Sequence, residues 1–292
     1  MSVAAAVAIP RTETQLPIDA VNTISAEDFR QNYIKRNRPL LMRRMMETWP
    51  AKEKWTFEFF SELSCDENVH LEEGNVMQQQ TQFRKASFRE YLANLMDEAP
   101  VENGYGAKAY LSLFNIFAAF PQLQSDVDFS VLNRYKVKHT VAGWIGPAGT
   151  VTGFHIDWGD NILAQVQGRK QIRLVPPAQS AFMYKSKKFD QGTTISEVDA
   201  DHYDAVRFPL FAKATPVTFN LHPGEMLFIP RGWWHHVRSL DRSISVSNIA
   251  WDVKGILRDA VPQRVIQILH NAGLYNTECT CHVVRDGRRV RK

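Results

Sequence analysis

The sequence predicts a mainly β fold with flanking helices: a sandwich or barrel at the centre, helical elements before it and helices after it. Three observations carry this. From Tyr110 to Asn248 the chain runs in short alternating stretches broken by Gly, Pro, Asn and Asp, the texture of packed antiparallel strands. Before that region, aromatic and leucine residues recur at three and four. After Trp251 the helical spacing returns, with Val261, Val265, Ile268 and Leu269 on one apolar face.

In chain order, Met1 to Pro10 is small and apolar but lacks the basic start of a secretory signal, so residues 1–20 read as a disordered start. Ser25-Ala-Glu-Asp28 is an N-cap with an acid at the third helical position, opening a helix to about Tyr33. Pro39 to Met46 reads as a strand. Thr56 to Leu63 and Ser87 to Met96 read as helices with core-facing stripes. The polar, weakly patterned stretch Tyr184 to Asp204 is a lid, a binding loop or surface filler. Pro262 is expected to separate two C-terminal helices, whose apolar face would pack on the barrel or on another subunit.

With 292 residues, 44% hydrophobic and 23% charged, the chain has the make-up of a globule with a sizeable core. No apolar run approaches the roughly 18 residues of a membrane-spanning helix. The formal charge is +4, and the last eight residues, RDGRRVRK, account for all of it, so a basic tail over 277–292 leaves the body balanced and argues against a nucleic-acid partner. Three cysteines, Cys65, Cys279 and Cys281, form no disulfide framework and suit a reducing compartment, the cytoplasm or a nucleus. Cys279-x-Cys281-His282 offers zinc three cramped ligands, or is simply free thiols.

The most specific chemistry lies in GTVTGFHIDWGDN. His155 and Asp157 are two apart, and on a strand such residues share a side, so imidazole and carboxylate can grip one ion. Gly224, Pro230, Gly232 and His235 then follow the spacing G-x5-P-x-G-x2-H. Alternation gives His235 the apolar, interior side with Val237 and leaves His236 with Arg238 on the other, so His235 is the better third ligand and His236 the alternative. Two histidines and a carboxylate on one face of iron(II) leave its other positions open for co-substrate and dioxygen.

A second feature is Lys170-Gln-Ile-Arg-Leu174. Lys170 shares the inward side with Ile172 and Leu174, and a buried ammonium needs an anion such as a ligand carboxylate, unless the side chain reaches out to solvent. Asn248 shares its side with Ile244 and Val246, which reads as inward, to hold a ligand or tie strands together. Thr152 has the wrong parity to join His155 unless the chain bulges at Gly153.

The segments T-G-F-H-I-D, N-I-L-A-Q-V-Q-G-R-K, P-G-E-M-L-F-I-P-R-G-W-W-H-H-V and S-V-S-N resemble the JmjC family of iron(II)- and 2-oxoglutarate-dependent oxygenases, most closely its small hydroxylases with a cupin-like core. The resemblance implies a double-stranded β-helix (jelly-roll) core, a catalytic domain over 21–253 with C-terminal helices over 254–276, and Fe(II), 2-oxoglutarate and O2 as cofactors. It implies His155, Asp157 and His235 as iron ligands, and Lys170, Thr152, Tyr110, Asn161 and Asn248 around the co-substrate. Trp158, Trp233 and Trp234 are candidates to wall the site. A plain cupin would carry asparagine at Ser239 and glutamate near Asn161. The function so implied is hydroxylation of a protein or peptide side chain with release of succinate and CO2. The alternatives are a lysine demethylase, a hydroxylase of a tRNA base or small metabolite, and a cupin module that binds metal without catalysis.

Overall fold

The structure is a computed structural model and describes residues 18–63, 68–73, 75–76, 82–97, 109–189, 193–276, 279, 282–285 and 288–291. Most of the start expected to be disordered, residues 1–17, lies outside these, but Asp19 and Ala20 belong to β1 (Asp19–Val21). Helix α1 (Ala26–Phe29) opens where Ser25 Oγ accepts the Asp28 amide at 3.1 Å, and it passes into a π-helical turn over Arg30–Ile34. Strand β2 (Leu40–Met42) is shorter than the run Pro39 to Met46 suggests. Helix α2 is Pro50–Lys54, and α3 (Phe57–Leu63) begins where Thr56 Oγ1 accepts the Phe59 amide. After β3 (Asn68–Glu73), β4 (Asn75–Val76) and β5 (Gln82–Ser87), Ser87 caps α4 (Phe88–Asp97) through the Glu90 amide.

Strand β6 (Ala109–Phe114) and the short helices α5 (Ile116–Ala119) and α6 (Ser130–Asn133) lead into the barrel. Its strands are β7 (Lys138–Gly146), β8 (Val151–Asp157), β9 (Asp160–Gln167), β10 (Lys170–Val175) and β11 (Thr193–Ile195). They continue as β12 (Val217–Leu221), β13 (Met226–Ile229), β14 (Trp234–Ser239) and β15 (Ser243–Trp251). Two sheets result, one in the order β1-β2-β13-β9-β15-β7-β6-β3-β5 and one in the order β11-β8-β14-β10-β12, with β4 added beside β8. This is the mainly β, jelly-roll core with flanking helices that the sequence predicts.

Three apolar layers hold it together. Leu163, Ile172, Leu174, Phe219, Leu227 and Ile229 pack between the sheets. The larger sheet also buries its outer side: Ile162, Ala164, Val166, Ile244 and Val246 meet Phe29, Trp55, Phe60 and Phe88 of the helical layer. Phe154, Val175, Met183 and Trp234 form a third cluster on the outer side of the smaller sheet. Alternation in the larger sheet therefore separates two buried sides, and this decides where Asn248 goes.

The C-terminal region differs from the sequence reading at Pro262 and in the tail, and it excludes one of the two packings expected for the apolar face. Helix α7 (Val253–Gly255), a π-helical turn over Ile256–Ala260 and α8 (Val261–Asn271) run on without a break at Pro262. The proline sits in the first turn of α8, where the Val261 amide bonds back to Ile256 O in the wider π spacing and a missing amide proton costs little. The apolar face does not pack on the barrel, since Val261, Val265 and Ile268 are about half exposed. The basic tail contains a hairpin, β16 (His282–Arg285) against β17 (Arg288–Arg291). Cys65 and Cys281 lie outside the described residues. Among the described residues no helix is long and apolar enough to cross a membrane.

Candidate metal centre

Strand β8 carries His155 and Asp157 on its inward side, and the neighbouring β14 places His235 directly opposite His155. The imidazole centroids are 3.9 Å apart. Asp157 Oδ1 lies 3.9 Å from His155 Nε2, and Oδ2 lies 3.5 Å from His235 Nε2. All three side chains are buried, with ligand atoms within 4.8 Å of one another. The rings are also turned correctly. His155 Nδ1 donates to Gly153 O at 2.8 Å and His235 Nδ1 to Trp233 O at 3.1 Å, so each ring's bare Nε2 lone pair faces the shared space. Burial, reinforced by His155 and opposed by Asp157, pushes His235 down to about 4, which keeps it neutral as a ligand must be. Asn161 Nδ2 donates to Asp157 Oδ2 at 2.8 Å and fixes the carboxylate. Two neutral imidazoles and one carboxylate, all inward, fit an iron(II) site with open positions.

His236 faces the other way. It is fully buried against Phe154, with Nε2 3.3 Å from Asp201, which also binds Arg173 at 2.9 Å and Arg238. Asp201 comes from the polar stretch Tyr184 to Asp204, as does β11, which pairs with β8 so that Thr193 lies beside Asp157. That stretch is thus fastened to the metal-bearing strands twice, by pairing along the edge of β8 and by Asp201 at the outward side chain of β14.

The triad opens into a cavity of about 210 Å³. Lys170 stands in it, 1% exposed, its Nζ 2.5 Å from Ser245 Oγ and 3.3 Å from Tyr110 Oη. Burial pushes the ammonium down to about 7 and raises the Tyr110 phenol above its usual value. Tyr110 fits because Gly146 has no side chain: a Cβ there would come within 2.5 Å of the ring. Thr152 reaches the same cavity as His155 although they are three positions apart. Between His235 and Val237 of β14 two steps are matched by three of β8, a bulge at Gly153 and Phe154 that resets the alternation. Asn161 also lines the cavity, and its Oδ1 is buried with no hydrogen-bond partner among the described residues, ready for a ligand donor.

Asn248 is the candidate that the fold takes elsewhere. Its Nδ2 donates to Asn133 Oδ1 at 2.8 Å in the helical layer, because the Ile244 and Val246 side of β15 faces that layer and the serine side faces the cavity. The residues missed by sequence reasoning are accordingly Ser245 and Ser247; the latter accepts a bond from Trp144 Nε1 at 2.8 Å. Of the three tryptophans suggested by sequence, Trp158 lines the cavity. Trp234 lies in the third cluster and Trp233 donates to Asn37 O, while Trp144 and Trp251 take the wall positions.

The family model of the Cupin-like domain matches residues 26–253. The chain is 32% identical over 247 residues to lysine-specific demethylase 8 of Xenopus tropicalis, covering 82% of this chain and 54% of that protein. It is 29% identical over 246 residues to Jumonji C domain-containing protein 5 of Drosophila melanogaster, covering 82% and 61%. To human HSPB1-associated protein 1 it is 28% identical over 252 residues, covering 79% and 51%. The chain spans little more than half the length of these relatives.

Proposed function

The chain belongs to the JmjC branch of the cupin-like domain family, and from that premise we propose that it is an Fe(II)- and 2-oxoglutarate-dependent dioxygenase hydroxylating a protein or peptide side chain. The observation that carries this is Lys170: a buried cation whose only bonded partners among the described residues are two hydroxyls, at the end of a cavity that begins at a His-Asp-His triad. A metal store would need no such cation. A dicarboxylate spanning the two features would.

In this reading His155, Asp157 and His235 hold iron, and Lys170 holds the far carboxylate of 2-oxoglutarate by a charge-assisted bond supported by Tyr110, Thr152 and Ser245. Together these cofactors supply dioxygen-driven hydroxylation, with succinate and CO2 released. The chain's own part is positional. Asn161 keeps Asp157 from rotating, the backbone carbonyls of Gly153 and Trp233 keep both imidazoles in the ligating tautomer, and Trp144, Trp158 and Trp251 exclude water.

A lysine demethylase is the second reading, favoured by the name of the similar Xenopus tropicalis protein. The two readings share the site and differ in outcome, an added oxygen retained or a methyl group lost. Succinate formation by iron-loaded protein, abolished in Asp157→Ala, tests the shared chemistry; mass spectrometry of methylated and unmethylated peptides separates the outcomes. If wild-type protein makes no succinate, the chain is a metal-binding module. A reducing compartment, cytoplasmic or nuclear, is its setting. The exposed face of α8 is the surface through which two copies would associate, a proposal checked by the mass of Val265→Asp protein in solution.

A further inference from the structure

Strand β6 breaks its alternation at one place. Against β7, Leu111 pairs with Ile145 and Phe114 with Gly143, so three steps of β6 are matched by two. The extra residue is absorbed at Leu113, whose φ of 48° is a left-handed conformation that leucine rarely adopts. Regular alternation would place Leu113 beside Leu111, on the helix-covered side. The bulge instead turns it to the cavity with Tyr110, where it is 53% exposed at the mouth. Ser112 Oγ is left buried with no hydrogen-bond partner among the described residues. The left-handed backbone and the exposed leucine both oppose folding, and they put Leu113 at the cavity mouth, where a ligand would meet it.

The surroundings say which ligand. Trp158, Ile249 and Trp251 stand at the same cavity, and among its described lining residues the only carboxylate is Asp157, inside the triad. Lys138 Nζ sits 5.6 Å from the Trp251 ring centroid, at the exposed start of β7. A cationic side chain would meet like charge beside Trp251 and, with Asp157 given to the metal, no further carboxylate among the described lining residues. A neutral aliphatic one would shed water against leucine and indole.

We propose that Leu113 is a specificity-determining residue that, with Trp158, Ile249 and Trp251, selects a neutral aliphatic side chain for presentation to the metal. This rests on the oxygenase reading and narrows its substrate class. The test uses full-length protein loaded with redox-inert Zn(II) and 2-oxoglutarate, and two probes, N-acetyl-leucinamide and N-acetyl-lysinamide, followed by saturation-transfer NMR. The leucine probe should give a signal on the order of fivefold above the lysine probe. Leu113→Glu should invert that ratio. Leu113→Gly should weaken the leucine signal while leaving the unfolding midpoint unchanged or higher, since glycine accepts the positive φ. No leucine signal, a preference for lysine as the demethylase reading would have it, or a ratio unmoved in both variants overturns the proposal. Binding here needs no turnover, so absence of succinate from the iron-loaded wild type would defeat the oxygenase reading separately.

Discussion

Lys170 Nζ and Ser245 Oγ meet at 2.5 Å between β10 and β15, an amine held by a hydroxyl inside the sandwich. Burial lowers the folded-state value to about 7, against roughly 10.4 in the unfolded chain. Between those values the folded chain binds fewer protons, so stability rises with pH across that window and is least below about 7. Urea denaturation of ligand-free protein should show this slope, and Lys170→Met should flatten it. Anion binding should reverse the shift: calorimetry in buffers of different ionisation enthalpy should detect uptake of about one proton with 2-oxoglutarate near pH 8.5 and little near pH 6. Uptake that does not vary with pH would remove Lys170 from the co-substrate site.

The two adjacent histidines should behave differently. Metal analysis after dialysis should find Fe(II) or Co(II) lost from His155→Ala, Asp157→Ala and His235→Ala, with affinity down by at least about 100-fold. His236→Ala should keep its metal and lose stability. Retention of metal by His235→Ala would break the assignment.

Asp201 anchors the chain between the two metal motifs. Burial opposes its charge, but His236, Arg238 and Arg173 hold the carboxyl well below the usual carboxylate range. Its stabilisation is therefore present above an unfolded value of about 3.9 and is lost as pH falls towards the folded one. Asp201→Asn removes the carboxylate that Arg173 and Arg238, both partly buried, share with His236, and should cost about 1 to 3 kcal/mol at neutral pH, read from denaturant midpoints. Its stability should also vary less with pH below about 4.

Gly159 lies between the metal motif and β9. A Cβ there would come within 2.7 Å of Ile249 Cγ2, 2.9 Å of Trp251 and 3.0 Å of Ala250 O. Gly159→Ala should destabilise by about 1 to 3 kcal/mol and displace Trp158 from the cavity wall. A variant with wild-type melting and turnover would show that the turn has slack.

The metal motifs were legible because their chemistry is written in local spacing: one strand delivers His155 and Asp157, and one turn delivers His235. Helix starts at Ser25, Thr56 and Ser87 were legible for the same reason, since a hydroxyl reads the amide three residues on. Asn248 was not. The rule that apolar means inward fails when a sheet is covered on both sides, and the Ile244 and Val246 side of β15 points to the helices. The bulge at Gly153 could be suspected from the glycine, whereas that at Leu113 has no such mark. The tail hairpin does have a local signal in the sequence, the dipeptide Asp286-Gly287.

The hydroxyl-lined side of β15 has an evolutionary corollary. Since Ile244, Val246 and Ala250 are committed to the helical coat, the cavity wall that the same strand supplies through Ser245, Ser247, Ile249 and Trp251 is made of groups whose exchange leaves the hydrophobic core intact. Such a scaffold can be retuned toward new targets by altering its lining, with thermal robustness inherited largely unchanged.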